Sequence, residues 1–200
     1  MAHSFLTTQF LKAAFHLKDC PQDGRPEIVL AGRSNVGKSS LINALCQRKR
    51  LAKVASTPGK TQSVVYFDVA GKCYLTDLPG YGFSSTGLAK RQAFSKLTDD
   101  YFHSDRPIAL VLSLIDLRHE PTKQDAMMIR FLCETKRPFV ICLTKADKLS
   151  RNEQFKNLQA FKRWRKEMNV PEDILEFVIS SEKGQGIDAL RQHLTERFLS

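Results

Sequence analysis

The chain has 200 residues, of which 42% are hydrophobic, a length and composition that fit one globular domain with a sizeable core and exclude a second full domain. Its 31 Lys and Arg outnumber 21 Asp and Glu, which gives a formal net charge of +10. This excess favours polyanionic partners such as nucleic acid or an anionic membrane, and charge alone does not choose between them.

The cysteines and the N-terminal residues indicate the compartment. The five cysteines contain no C-x-x-C pair, so we expect reduced thiols rather than a zinc or redox site. The first fifteen residues are interrupted by His3, Gln9 and Lys12, and they lack the unbroken apolar core of a signal peptide or a membrane span. We therefore expect a soluble, cytoplasmic, monomeric protein with no stable membrane insertion.

Residues 1–25 are predicted to be an N-terminal extension packed on a domain that comprises residues 26–200. Within this extension Phe5, Leu6, Phe10, Leu11 and Phe15 predict a helix that packs against the domain. Attachment of the same stretch to a membrane is the alternative, and liposome flotation would test it.

Short apolar runs then alternate with amphipathic stretches, a pattern that predicts an α/β fold. Strands are predicted at residues 27–31, 63–69, 72–77, 108–116, 139–144 and 176–180. Only Ala70 and Gly71 join the second strand to the third, so these two should form an antiparallel hairpin. The prediction is a mixed six-stranded sheet with helices on both faces.

Helical spacing predicts four apolar helix faces directed at the core. These faces are Leu41, Ala44 and Leu45; Phe94, Leu97 and Tyr101; Phe155, Leu158 and Phe161; and Ile187, Leu190, Leu194 and Phe198. Two helix starts carry capping signals, Thr122 with Asp125 and Ser150 with Glu153.

A phosphate-binding motif stands between the first predicted strand and the next helix. It consists of Gly32, Arg33, Ser34, Asn35, Val36, Gly37, Lys38 and Ser39, followed by Ser40. Its glycines let the backbone N–H groups turn toward phosphates, Lys38 would reach the β and γ phosphates, and Ser39 would bind Mg²⁺. The alternative is a glycine-rich turn without a ligand, and the motifs further along the chain argue against it.

A D-x-x-G motif ends the predicted hairpin: Asp77, Leu78, Pro79 and Gly80. Asp77 should hold Mg²⁺ through water, and the Gly80 N–H should meet the γ phosphate. Before the hairpin, the polar loop that contains Gly59, Lys60 and Thr61 resembles a mobile switch. Thr61 is the predicted second side-chain ligand of Mg²⁺, and Thr57 is the competing candidate.

A base-recognition motif follows the fifth predicted strand: Thr144, Lys145, Ala146 and Asp147. The Asp147 carboxylate can accept hydrogen bonds from guanine N1–H and the exocyclic amine, which adenine does not offer in that arrangement. Lys145 would lie along the base. The end of the last strand would supply backbone contacts from Ile179, Ser180 and Ser181.

These motifs, together with residues 57–62, 77–82 and 116–122, resemble the EngB family of bacterial ribosome-assembly GTPases, within the Era/EngA/septin-like class. The resemblance covers nearly the whole chain, and residues 116–122 are its most specific part. It implies a P-loop NTPase G-domain, GTP and Mg²⁺ as ligands, a role in maturing the large (50S) ribosomal subunit, and a requirement for normal cell division and septation. A membrane- or division-site GTPase is the alternative.

Catalysis is expected to rest on Lys38, Thr61 and Gly80. Where many small GTPases place a water-orienting Gln, this chain has Tyr81, so intrinsic turnover is expected to be slow, ~10⁻⁴ s⁻¹, unless a partner completes the site. Asn35 and residues 58–60 also resemble relatives that use K⁺ in place of an arginine finger. Equal rates in K⁺ and Na⁺ would remove that hypothesis. The rival function is a nucleotide-gated switch in which hydrolysis only resets the bound state.

Overall fold

The computed structural model describes residues 3–52, 63–81 and 96–199. These residues form one seven-stranded sheet in the order β1-β3-β4-β2-β5-β6-β7. The strands are β1 (Gln9–Ala14), β2 (Glu27–Gly32), β3 (Val64–Val69), β4 (Cys73–Asp77), β5 (Ile108–Asp116), β6 (Phe139–Thr144) and β7 (Glu176–Val178). Strands β4, β2, β5, β6 and β7 run parallel, while β3 is antiparallel to both β4 and β1.

The six strands predicted from apolar runs are all present, and the predicted antiparallel hairpin is β3–β4. Strand β7 ends two residues earlier than predicted. The central strands were visible in the sequence because a parallel strand covered on both faces is apolar along its whole length. Strand β2 is such a case, since all of its six residues are buried.

The helix predicted for the N-terminal extension is wrong, and so is the count of six strands. Helix α1 covers only His3–Leu6, and Gln9–Ala14 form β1 on the edge of β3. Pairing with β1 satisfies backbone groups of β3 that an edge strand would leave open. The register shifts between Phe10 and Lys12, and this bulge breaks the alternation that normally reveals a strand.

Five further helices follow the sheet strands: α2 (Lys38–Leu45), α3 (Lys96–His103), α4 (Lys123–Glu134), α5 (Arg151–Glu167) and α6 (Ile187–Phe198). Both predicted capping boxes are present, at Thr122 for α4 and at Ser150 for α5. In each box the side chain accepts from the N3 backbone N–H while the N3 carboxylate accepts from the cap N–H. Short 3-10 turns occur at Leu17–Asp19 and Ala146–Lys148.

The sheet separates two apolar cores. Alternate residues of β2 face opposite sides of the sheet and so belong to different cores. Ile28 and Leu30 belong to the core that includes α2 and α6, and Val29 and Ala31 belong to the core that includes α3, α4 and α5. Helices therefore cover both faces, as predicted. Phe155 does not belong to either core, since its side chain is 66% exposed on α5, and Phe94 lies outside the described residues. Within the described ranges, no helix has the length and apolar character needed to cross a membrane.

Candidate functional site

The glycine-rich loop lies where β2 ends and α2 begins. A Cβ atom on Gly32 would lie 2.8 Å from Val36 Cγ1 and 3.0 Å from the carbonyl oxygen of Leu114, so the loop packs too closely for a side chain there. Gly37 caps α2 with a φ of +114°, a conformation that L residues rarely adopt. The first N–H groups of a helix lack partners within the helix and attract anions. The loop is therefore built to receive an anionic group.

Lys38 and Asp77 place opposite charges behind this loop. Lys38 Nζ lies 3.4 Å from the carbonyl oxygen of Gly32. Burial lowers the pKa of Lys38, and the Asp77 carboxylate opposes that shift. Burial likewise raises the pKa of Asp77, against the influence of Lys38 and of a hydrogen bond from Ser39. For each of these two groups, the neighbouring protein groups thus offset only part of the cost of burying its charge.

Ser39 and Asp77 offer the kind of ligand that a divalent cation needs. Ser39 Oγ lies 3.4 Å from Asp77 Oδ2, while Asp77 Oδ1 is buried and has no hydrogen-bond partner among the described residues. Mg²⁺ takes oxygen ligands and usually keeps several waters. The hydroxyl and the carboxylate therefore fit a magnesium ion.

The residues after β4 run alongside the glycine-rich loop. Tyr81 N donates to the Gly32 carbonyl oxygen at 3.3 Å, and Ser34 N donates to the Tyr81 carbonyl oxygen at 3.1 Å. A Cβ atom on Gly80 would lie 2.7 Å from Ser34 N, closer than any real Cβ contact. Glycine at this position is what allows the two backbones to meet.

Tyr81, which follows the D-x-x-G motif, is engaged with helix α4. Its side chain is 3% exposed, and its hydroxyl donates to Asp125 Oδ1 at 3.1 Å. Asp125 is also the N3 residue of the α4 capping box. Burial raises the pKa of Tyr81 and the Asp125 carboxylate raises it further, so the phenol keeps its proton. The hydroxyl is thus hydrogen-bonded to the first turn of α4.

The segment after β6 is tied to both neighbouring loops. Thr144 Oγ1 donates to the Val36 carbonyl oxygen at 2.8 Å, which fixes this segment against the glycine-rich loop. Ala146 is fully buried, and its N–H donates to the Ile179 carbonyl oxygen at 3.2 Å. These hydrogen bonds therefore fix the ends of β6 and β7 relative to each other and to the loop after β2.

Asp147 presents an oriented carboxylate. Its side chain is 6% exposed, Oδ1 accepts from Ser180 Oγ at 2.6 Å, and Oδ2 lies 3.2 Å from Lys148 Nζ. The Ser180 hydroxyl in turn accepts from Lys183 N at 2.9 Å, which fixes its direction. Burial alone would raise the pKa of Asp147, but the hydrogen bonds from Ser180 and Lys148 outweigh it and the pKa is lowered. The group is an ionised acceptor at neutral pH.

Lys145 is held by Asp116, the last residue of β5. Its backbone has a φ of +62°, and its Nζ lies 2.9 Å from Asp116 Oδ2. Arg118 Nη2 binds the same carboxylate at 2.8 Å. Burial opposes ionisation of Asp116, yet the bonds from Arg118 and Lys145 lower its pKa to about 2. No nucleotide role was predicted for residues 116–122, because nothing near them in the sequence indicates this contact between the ends of two strands.

A cavity of about 650 Å³ lies between the glycine-rich loop and the segment after β6, a volume that suits a small-molecule ligand. Its lining includes residues for which the sequence predicted no place in the site. They are Asn43, Ala44, Gln47, Arg48, Lys49, Lys148 and Glu182. The first five of these residues lie on helix α2 and on the loop after it. They follow the glycine-rich motif in the chain but have no spacing that would mark them as part of it.

Most of the predicted site residues lie along the carboxyl edge of the sheet, where the parallel strands end. These are Gly32, Arg33, Ser34, Asn35, Val36, Gly37, Lys38, Ser39, Ser40, Asp77, Leu78, Pro79, Gly80, Thr144, Lys145, Ala146, Asp147, Ile179, Ser180 and Ser181. Gly59, Lys60 and Thr61 lie outside the described residues, as does Thr57. The roles of these four, and the choice of Thr61 over Thr57, stay predictions.

Known proteins resemble this chain in sequence. A family model described as 50S ribosome-binding GTPase matches residues 27–145. The "Probable GTP-binding protein EngB" of Chlorobaculum tepidum is 49% identical over 150 residues, which cover 75% of this chain and 78% of the relative. The protein of the same name from Alkaliphilus oremlandii is 36% identical over 98% of this chain and 92% of its own.

Solved structures share the fold. The crystal structure of a probable GTP-binding protein engB superposes with a TM-score of 0.65 at 23% identity, over 85% of this chain and 97% of that one. Era, solved with MgGDPNP and a segment of 16S ribosomal RNA, gives a TM-score of 0.61 at 18% identity, over 87% of this chain and 57% of that one.

The mixed sheet and the loops at its carboxyl edge define a P-loop GTPase, an enzyme of the GTP-binding class. Within that class the identities over most of the chain decide the family. The chain belongs to the EngB family of GTP-binding proteins.

Proposed function

We propose that this GTPase binds GTP with Mg²⁺ at the carboxyl edge of its sheet, hydrolyses it slowly when alone, and acts in its GTP-bound form during assembly of the large ribosomal subunit. The observation that carries the ribosomal part is the match of residues 27–145 to the 50S ribosome-binding GTPase family. The site geometry carries the chemistry.

The phosphate groups lie against the glycine-rich loop in this proposal. Backbone N–H groups of residues 32–40 and the start of α2 surround them, and Lys38 places its ammonium beside the β and γ phosphates. Support comes from the left-handed Gly37 and from the Lys38 ammonium, whose contact to the Gly32 carbonyl oxygen is a long 3.4 Å. Gly80, adjacent to Ser34, donates its N–H to the γ phosphate.

The Ser39 hydroxyl would hold Mg²⁺ directly and Asp77 through water, with Thr61 as the further ligand. The buried Asp77 Oδ1 is the supporting observation, because an ionised oxygen in that position is costly without a cation. When bound, Mg²⁺ supplies charge neutralisation for the transferring phosphoryl group.

Guanine is selected by Asp147. The Ser180 hydroxyl orients its carboxylate to accept from guanine N1–H and the exocyclic amine, while adenine leaves both acceptors unpaired. Lys145, held by Asp116, lies along the base. Ala146, Ile179 and Ser181 supply the backbone that surrounds the base edge.

Intrinsic hydrolysis is slow because the residue after the D-x-x-G motif is a buried tyrosine bonded to Asp125, and it cannot align the attacking water. A partner, or K⁺ bound beside Asn35, completes the site. The basic surface, with its net charge of +10, makes ribosomal RNA a suitable partner. We further propose that the protein is a cytoplasmic monomer, that residues 26–200 form its G-domain, and that cell division depends on its activity.

Co-sedimentation with 50S subunits and their precursors tests the proposal. The protein is loaded with GDP or a non-hydrolysable GTP analogue at moderate and high salt, and Lys38→Ala serves as the variant with a defective phosphate site. Preferential binding in the GTP-analogue state that survives high salt is expected. Binding that ignores the nucleotide and vanishes with salt contradicts it, as does flotation with anionic liposomes in place of subunit binding.

A further inference from the structure

A second cavity lies between strand β1 and the loop that follows α2, and it adjoins the nucleotide cavity, with which it shares Arg48 and Lys49. We call it the β1 cavity. It has a volume of about 680 Å³, and the described residues that line it are Gln9, Phe10, Arg48, Lys49, Arg50 and Leu51. It thus combines an aromatic ring with three cations beside the edge strand β1.

The ring of Phe10 is both accessible and held in place. Its side chain is 40% exposed, although it lies on a strand that is paired along the sheet. The Phe67 ring meets it edge to face, with centroids 6.1 Å apart and an interplanar angle of 72°. A supported ring with an open face is a platform on which a nucleic-acid base can stack.

The cations stand on a loop that the fold keeps in position. Asn43 Oδ1 accepts from Ala52 N at 2.9 Å, and Arg48 Nη1 donates to the Thr8 carbonyl oxygen at 3.0 Å, so both ends of the loop are anchored. Lys49 and Arg50 remain exposed.

No acidic residue occurs among the described residues that line the cavity. The carboxylate across from Gln9 in the sheet is Asp68, which Arg25 pairs at 2.6 Å. The positive potential of the loop is therefore not cancelled locally.

We propose that the β1 cavity binds an unpaired segment of RNA, with one base stacked on Phe10 and the neighbouring phosphates beside Lys49 and Arg50. This inference rests on the proposed ribosomal function and names a surface for it. Unpaired RNA fits because its bases can leave the stack, whereas a duplex hides them. A concave cavity with one ring among cations also differs from the broad apolar face that inserts into a membrane.

The test measures RNA affinity by fluorescence anisotropy, using a labelled single strand of about ten nucleotides and the duplex of the same sequence. Arg48 and Lys49 also line the nucleotide cavity, so all measurements are made at saturating GDP and the variants are placed elsewhere. The variants are Phe10→Leu, which keeps apolar volume but removes the ring, and Arg50→Gln, which removes one charge. The control is Lys162→Gln, an exposed charge on α5 at the opposite edge of the sheet.

Each variant has a distinct expected signature. Phe10→Leu should weaken single-strand binding about fivefold or more while leaving the salt dependence unchanged, because stacking releases no counterions. Arg50→Gln should reduce the slope of log affinity against log salt by about 0.7, the value for one phosphate of a single strand. Lys162→Gln should change affinity less than about twofold, and the wild-type protein should prefer the single strand to the duplex.

The inference falls if Phe10→Leu binds RNA as the wild type does, or if Lys162→Gln weakens binding as much as Arg50→Gln. It also falls if the wild type binds anionic vesicles through Phe10 and does not bind RNA. The same protein preparations distinguish a failure of the β1 cavity proposal from a failure of the proposed ribosomal function. If Phe10→Leu and Arg50→Gln co-sediment with 50S subunits as the wild type does, the RNA-binding role of the β1 cavity is overturned alone. If RNA binding depends on Phe10 but no binding to subunits occurs, the ribosomal function is overturned alone.

Discussion

The two halves of the nucleotide site differ in how far the protein satisfies its own charged groups. In the base half, Asp147 is bonded to Ser180 and Lys148, and Lys145 is paired with Asp116. In the phosphate half, Lys38 Nζ makes a long 3.4 Å contact to the Gly32 carbonyl oxygen, and Asp77 Oδ1 is buried with no hydrogen-bond partner within the described part of the chain.

This difference separates recognition from chemistry. Groups already fixed by the protein lose little entropy on binding and discriminate between bases by geometry, so the base half is suited to selectivity. Buried charges with few protein partners interact strongly with a phosphate or a cation, so the phosphate half is suited to affinity and to stabilising the transition state. Variants in the two halves should therefore fail in different ways.

Replacement of the base-reading carboxylate should have the largest effect. Asp147→Asn places an amide donor against the guanine amine, and we expect GTP affinity to fall by about 10³-fold or more while xanthosine triphosphate, which has a carbonyl there, binds better. Competition against a fluorescent guanine nucleotide measures both. Asp173→Asn, which removes an exposed carboxylate after α5, is the control and should bind GTP as the wild type does. Unchanged GTP affinity in Asp147→Asn would show that the base half is misassigned.

Loss of the phosphate-half lysine should follow. Lys38→Ala removes the ammonium that faces the developing charge, and single-turnover phosphate release should slow by about 10²- to 10³-fold. The preference for GTP over ATP should persist, because Asp147 is intact. Lys123→Ala, an exposed lysine at the start of α4, should hydrolyse GTP at the wild-type rate. If Lys38→Ala also lost its preference for GTP over ATP, the claim that the two halves act independently would be contradicted.

Crowding of the two backbones in the phosphate half should have a smaller effect. Gly80→Ala forces a Cβ atom to within 2.7 Å of Ser34 N, so the glycine-rich loop must shift and hydrolysis should slow by about tenfold or more. Gly71→Ala is the matched change in the β3–β4 turn, where nothing lies within 4 Å. It should lower stability by about 1 kcal/mol because its φ is +69°, and should leave hydrolysis intact. Equal hydrolysis by the two variants would contradict the close approach.

The smallest effect should come from the support of the base-reading carboxylate. Ser180→Ala removes the 2.6 Å hydrogen bond to Asp147, and GDP and GTP affinities should fall together by about fivefold to tenfold. The rate of the bound complex should not change, since the phosphate half is untouched. Ser104→Ala, which removes a hydroxyl bond at the end of α3, is the control for loss of a serine hydrogen bond. A fall in the bound rate without a fall in affinity would reverse the roles of the halves.

Sequence was sufficient where the determining residues are close together in the chain. The glycine-rich loop occupies eight consecutive residues, the capping boxes at Thr122 and Ser150 each span four, and the fully buried β2 is a continuous apolar run. Local chemistry fixes each of these features, so the pattern carries the information.

The sequence was insufficient to predict features that depend on a partner residue or strand far away in the chain. Strand β1 forms because β3 offers it an edge, and its bulge hides the alternation. The bond from Tyr81 to Asp125 joins residues 44 positions apart, and the pairing of Lys145 with Asp116 crosses from one strand end to the next. Phe155 has the spacing of a core residue, yet among the described residues it stays 66% exposed. In each case tertiary packing overrides the local pattern.

Phosphate release from GTP and ATP, each with Mg²⁺ and with the metal chelated, tests the division of the site most directly. The account predicts release from GTP only when Mg²⁺ is present, with ATP slower by a factor on the order of 10⁴ in kcat/KM. Comparable rates for ATP and GTP, or GTP hydrolysis that persists without the metal, would contradict it.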